Sequence, residues 1–130
     1  MKTIVAFFVV LHQGRTIVER RDSRIGLPYA LLPANESIES CGSRAVSRHA
    51  SIGNGLGRWR YVGGKDGESW KGQPVQICIF SFPNADIASA PTHPGADLVD
   101  LDALSDETDI SIELLRKLNP APGELALRTA

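Results

Sequence analysis

Two arginines four residues apart, Arg44 and Arg48, fall on one helix face with Ser37 and Ser40, because positions three and four apart stack in a row. A guanidinium is a planar fork of N–H donors that fits phosphate oxygens, so this row, with His49 beside it, is a candidate site for a phosphate-bearing ligand. The structural alternative is an ion pair from Arg44 to Glu36 or Glu39, with Arg48 left in water. Farther on, Arg58-Trp59-Arg60-Tyr61 alternates cation and aromatic, which on a strand sends the arginines to one face and the rings to the other. Such rings either stack on bases or fill a core. Trp70, in the glycine-rich stretch 63–72, either covers a ligand, marks a dimer contact or packs back on its own domain.

Other constellations carry less chemistry. His12, His49 and His93 show no zinc-type or catalytic-triad spacing. Gly53-Asn54-Gly55-Leu56-Gly57 lacks the strand before and helix after that a phosphate cradle needs, and reads as a loop. Asp97, Asp100, Asp102, Asp106, Glu107 and Asp109 match no calcium-loop spacing and read as a solvated acidic rim. Cys41 and Cys78 are too few for a disulfide framework and are expected as buried thiols of a cytoplasmic protein.

The elements that must position these residues follow from hydrophobic periodicity. Ile4–Leu11 is a continuous apolar run followed by turn residues and then by Thr16–Arg20 of β composition, which predicts a hairpin. At eight residues the run is too short to span a membrane, and it lacks a signal-cleavage pattern. A loop carrying Gly26, Pro28 and Pro33 leads to Ser37–Ala50, where Ile38, Cys41, Ala45 and His49 recur at helical spacing and Asn35 or Ser37 is placed to cap. A short strand at Arg58–Val62 sits between glycine-rich loops, Val75–Phe82 reads as a strand at the centre of a sheet, and Asp97–Leu101 as another. Ser111–Leu118 reads as a helix ended by Asn119-Pro120, with 120–130 as a tail.

The 130 residues suit one domain, with 1–119 as its body. An apolar share of 42% against 22% charged is enough to collapse around a core. A net charge of −1 argues against a general nucleic-acid coat, although residues 1–71 carry +5 and residues 72–130 carry −6.

The order of elements resembles the Nudix (MutT-like) family over nearly the whole chain. The family's signature runs Gly, five residues, Glu, seven residues, Arg-Glu-apolar, one residue, Glu-Glu, one residue, Gly-apolar; laid on residues 30–52 it keeps every spacing, with Glu36, Arg44, Val46 and Ile52 matching. Ile17–Arg21, Asn35-Glu36-Ser37 and Ala96–Leu104 resemble the family's flanking text, and Leu27-Pro28-Tyr29-Ala30 stands where it has Leu-Pro-Gly-Gly. The resemblance implies an α/β fold, a Nudix-like α/β/α sandwich with a mixed sheet.

The positions that carry the family's chemistry depart from it. Its metal-binding glutamates are replaced by Ala45, Arg48 and His49, and its two box glycines by Ala30 and Ser51. On a helix residues 45, 48 and 49 span roughly 100 degrees, an arc that three carboxylates would need to converge on a hard divalent cation. Here the arc offers no donor, a permanent cation and a poor ligand for Mg²⁺. With the metals go both the polarised diphosphate and the activated water, so standard hydrolysis is not expected. The expectation is a pseudoenzyme with a degenerate box that binds a nucleotide or other phosphate-bearing ligand without a cofactor, through Arg44, Arg48, His49, Glu36, Trp59 and Trp70 as candidates. Two alternatives stay open: a hydrolase whose Mg²⁺ is held by Glu36, Glu39 and the late acidic segment, and a homodimeric or partner-binding interaction protein without a membrane role.

Overall fold

The computed structural model describes residues 3–12, 15–21, 23–47, 59–69, 71–82, 96–100 and 108–118. The apolar run becomes β1 (Thr3–His12), which is continuous in hydrophobicity because both of its faces are covered. Phe7, Val9 and Leu11 point into one cluster, and Ala6, Phe8 and Val10 into another. β1 pairs antiparallel with β2 (Arg15–Arg21) as the hairpin predicted, with Leu11 opposite Thr16. On its other side β1 runs parallel to β6 (Pro74–Phe82), and β6 is flanked in turn by the antiparallel edge strand β5 (Arg60–Glu68). β7 (Ala96–Val99) pairs with β2. The result is a mixed seven-stranded sheet with α1 (Ile38–Ser47) on one face and α2 (Ile110–Leu118) on the other. No described helix is long and apolar enough to cross a membrane.

Two stretches expected as loops contain strands. The Pro-bearing connection holds β3 (Arg24–Gly26), paired with β2, and β4 (Tyr29–Leu32), paired with the first half of β1. The two prolines lie outside these short strands, so neither interrupts a ladder. The glycine-rich stretch is strand up to Glu68, because each glycine makes room for a neighbour: Gly63 for Leu118, Gly64 for the Ile77 backbone carbonyl and then the Tyr61 hydroxyl, and Gly67 for Ile77. Residues 48–58, 70, 101–107 and 119–130 lie outside the described residues, which takes in the end of the expected first helix, the glycine-rich loop 53–57, Trp70, Asp102, Asp106 and Glu107 of the acidic segment, and the tail.

The acidic rim also needs correcting at Asp109. Its Oδ1 accepts from the Ser111 backbone N–H at 2.9 Å and so caps α2, while its Oδ2 meets Arg21 Nη2 at 2.5 Å. Arg21 also pairs with Glu19, donates to the Leu27 carbonyl at 2.9 Å and lies over the Tyr29 ring. Ser111 Oγ accepts from the Leu27 N–H at 3.0 Å. A partly buried hydrogen-bonded network therefore fastens α2 to β2 and to the β3–β4 connection. Asp97 and Asp100 are exposed, as expected of a rim.

α1 reaches the sheet through small residues. Its Cys41, Gly42 and Ala45 are buried, and facing them Ala6 and Ala30 sit side by side on β1 and β4. Trp59, just before β5, packs its indole edge on Gly42, with ring contacts to Phe8 at 4.8 Å and Phe82 at 5.8 Å between centroids. A methyl group on residue 42 would strike that rigid ring. Ala normally strengthens a helix by about 1 kcal/mol over Gly, whereas overpacking a core costs about 1–3 kcal/mol. Gly42→Ala is therefore expected to lower stability by about 1 kcal/mol or more in urea unfolding, against the helix-propensity trend.

Candidate functional site

The loop and first turns of α1 are organised around Glu36. Pro33 to Glu36 forms a turn closed by the Glu36 N–H on the Pro33 carbonyl at 3.2 Å, and Ser37 caps the helix by accepting from the Ser40 N–H at 3.1 Å. Glu36 then receives three donors: Arg44 Nη2 on Oε1 at 2.6 Å, and Arg44 Nε at 3.4 Å and Ser40 Oγ at 3.0 Å on Oε2. This forked pairing is the structural use of Arg44 that the sequence left open. The same Nη2 also donates to the Leu31 carbonyl at 3.2 Å, where the Cys41 thiol donates at 3.6 Å.

Leu31 lies opposite Val5 on β1, yet its carbonyl is satisfied by the helix. The Phe8 N–H bonds the Pro28 carbonyl, and in an antiparallel ladder this alternation turns the polar groups of Leu31 outward. Arg44 thus closes the exposed edge of β4 while holding the loop carboxylate.

The charges respond to this arrangement. The Arg44 hydrogen bond, with help from Ser40, holds the Glu36 carboxyl below its ordinary value against a smaller opposing effect of burial. The same bond raises Arg44. Burial pushes the Cys41 thiol up, with the Glu36 charge adding to it, and burial alone raises Cys78, so neither is a ready thiolate.

Of the six residues singled out from sequence, the structure brings Glu36 and Arg44 together and places Trp59 in the core under α1 at 8% exposure. Arg48, His49 and Trp70 lie outside the described residues. At the first metal-ligand position of the box, Ala45 is fully buried and packed in the α1-side cluster. Glu36 is already held by Arg44 and Ser40, and among the described residues no group of three or more His, Cys, Asp or Glu is placed to hold a metal ion. The described box residues, a carboxylate already paired with Arg44 and a buried alanine, do not by themselves fit a divalent cation. Beside the clamp runs a groove of about 510 Å³ lined by Thr3, Ile4, Leu31, Leu32, Pro33, Ala34 and Glu36, an apolar wall with no cation in its lining.

Sequence reasoning weighed Trp59 and Tyr61 as one row. They do share the α1-side face, through Phe82 and Phe80 respectively, but their exposure differs. Tyr61 is 61% exposed and leans on half-buried Phe80, with centroids 5.6 Å apart. It escaped selection because alternation gives the face of a residue and not where a helix stops covering that face. Among the described elements α1 packs over β4 and β1, leaving Tyr61 at the far side.

No protein-family model and no curated protein matches the chain. Its fold is similar to the MutT Nudix hydrolase from Burkholderia pseudomallei, with a TM-score of 0.70 at 14% identity over 92% of this chain and 98% of that one. It is likewise similar to the E. coli ORF135 protein, at 0.67 and 16% identity over 93% and 96%. The MutT protein from Methanosarcina mazei Go1 gives 0.66 and 15% identity over 92% and 94%. The chain therefore has the Nudix fold, with a mixed sheet between helices.

A depressed carboxylate stabilises the fold above its unfolded pKa, and that contribution is lost as pH falls through the folded value. Glu36→Gln is accordingly expected to lower the thermal midpoint at pH 7. The gap to wild type should begin to close as pH falls through the ordinary carboxyl value of about 4.3 and vanish only below the lowered native value, where the native carboxylate is protonated too. A gap that stays constant with pH would show that the charge of Glu36 contributes nothing.

Proposed function

We propose that this domain binds a nucleotide or another phosphate-bearing ligand without a metal and does not hydrolyse it. The observation that carries the reading is a division within the box. Its structural half is intact, with Glu36, Arg44 and the Leu31 carbonyl joined at 2.6 Å and 3.2 Å, whereas the position that would begin its metal half is a buried alanine. A site kept in shape but stripped of carboxylates retains a use for binding. Arg48, which follows α1 in the sequence, supplies positive charge where a carboxylate would have needed a cation to meet an anion, with His49 next to it as a further hydrogen-bonding group. The fold neighbours described as MutT and Nudix hydrolases support nucleotide derivatives as the first ligands to try.

Within this reading Arg44 is a positioning residue and Arg48 the principal phosphate contact. Arg44 holds the loop and the helix; its second terminal nitrogen is left for a ligand that approaches the clamp from outside. The mechanism is one of binding alone: a guanidinium neutralises the phosphate and hydrogen-bonds it, and no water is activated.

Thermal-shift measurements with nucleotides, dinucleotide polyphosphates, ADP-ribose and nucleotide sugars test this directly. A ligand at about 100 times its Kd adds about 2.7 kcal/mol, several degrees for a domain of this size. The expected result is a shift that survives EDTA in wild type and is lost in Arg48→Glu. A shift that requires Mg²⁺, with release of phosphate or a mononucleotide, would establish the hydrolase instead.

A further inference from the structure

β5 is the last strand on its side of the sheet and is nine residues long, and among the described residues nothing pairs with its outer edge. Such an edge offers a row of backbone N–H and C=O groups to another strand, and no proline interrupts it. The register with β6 assigns the faces of β5. Tyr61 lies opposite Phe80, Gly64 opposite Cys78 and Asp66 opposite Gln76, so these three share the α1 side. Val62 is the extra residue of a bulge, which is why Tyr61 and Gly64 agree in face at a spacing of three. Arg60, Gly63, Lys65 and Gly67 take the α2 side. The charged residues of the strand are all exposed, and Tyr61 is 61% exposed.

Arg60 stands at one end of the strand, and Asp66 and Glu68 stand at the other. A copy of the same strand laid antiparallel brings each basic end to an acidic end, whereas a parallel copy brings like to like. Antiparallel neighbours must also match faces, so a two-fold axis passes through one residue and its own copy. With the axis at Lys65 or Asp66, like charges meet on it; at Gly67, Asp66 meets Glu68; at Gly63, Arg60 meets Lys65. Like charges directly opposite are unfavourable. With the axis at Gly64 none oppose each other, and the overlap runs from Arg60 to Gly67. Gly64 suits the axis in shape as well. The space of a side chain there is taken by the Ile77 backbone carbonyl and then by the Tyr61 hydroxyl, 3.0 Å from where a Cβ would sit, so the phenol leans along the strand toward the axis. In such a pair each phenol stands beside Asp66 of the partner subunit. Lys65 falls opposite Gly63 of the partner subunit and Arg60 opposite Gly67 of the partner subunit, where the glycines leave room for both long side chains.

We infer that the chain forms a two-fold dimer by pairing β5 antiparallel with β5 of a second copy, with Gly64 on the axis, so that one sheet runs through both subunits. A second copy is favoured over a foreign strand because this order of charges is complementary to its own reverse. The pairing covers the tyrosine that α1 leaves bare, and it is independent of the phosphate reading.

Sedimentation equilibrium of the full chain reads the mass, which is expected to rise from 14.0 kDa toward twice that value as concentration climbs through the micromolar range. Tyr61→Asp sets a carboxylate opposite Asp66 of the partner subunit and should weaken the dimer by about tenfold or more. Adding Asp66→Lys to it should restore the dimer. Thermal midpoints taken where the chain is monomeric verify that the variants fold. A monomer at every concentration, a dimer indifferent to Tyr61→Asp, or a double variant no better than the single one overturns the inference. If either variant fails to fold, hydrogen exchange of the wild type decides. Amides within residues 60–68 must then slow as concentration rises, and rates that do not change with concentration overturn the pairing.

Discussion

The Arg44 guanidinium holds together parts of the chain that would otherwise separate. One N–H edge is spent on the Glu36 carboxylate and on the Leu31 carbonyl, so the turn after β4, the start of α1 and the edge of β4 share a single anchor. Because Arg44 is in the last turn of α1 and Glu36 precedes its first, the bond also spans the helix lengthwise. Each surface ion pair is worth little alone, but this one is forked and also closes an unpaired strand edge. The direction in which the helix leaves the loop, and hence where Ala45 and Val46 are aimed, depends on it.

The second constraint is steric. α1 lies close to the sheet because the contact is built from Cys41, Gly42 and Ala45 above Ala6 and Ala30, with the Trp59 indole filling the side of the interface. Ala45 is fully buried in that contact. The residue that offers no donor at position 45 is therefore also part of the helix packing. On the opposite face the Arg21–Asp109 pair does for α2 what Arg44 does for α1, using Gly26, whose lack of a side chain leaves room for both charged groups.

Much of this was legible in the residues. The long apolar run of β1, the interior position of β6, the capping serine of α1 and the apolar face of α2 all follow from periodicity and cap chemistry, and the box spacing led to the fold; the centre of the sheet is held by β1 and not, as expected, by β6. What sequence could not supply were relations between distant segments. Short β3 and β4 hide beside prolines because their registers are fixed by β2 and β1 and not by their own composition. The glycines of β5 look like loop until Leu118, Tyr61 and Ile77 are seen to fill their space. Asp109 looked like one of many solvated carboxylates, until the approach of Arg21 from 88 residues earlier gives it a charged partner. For the site, the choice of Glu36 over Glu39 as the partner of Arg44 depended on the turn at Pro33, and the exposure of Tyr61 on how far α1 extends over the sheet.

The account rests on a box that keeps its shape without a cation. Titrating Mn²⁺ into EDTA-treated protein, read by the electron paramagnetic resonance of free Mn²⁺ together with the thermal midpoint, tests that most directly. The account predicts that free Mn²⁺ rises in step with the amount added, with no saturable site and an unchanged midpoint. One or two tightly held Mn²⁺ ions per chain, accompanied by a rise in midpoint, would contradict it and return the domain to the metal-dependent hydrolases whose fold it shares.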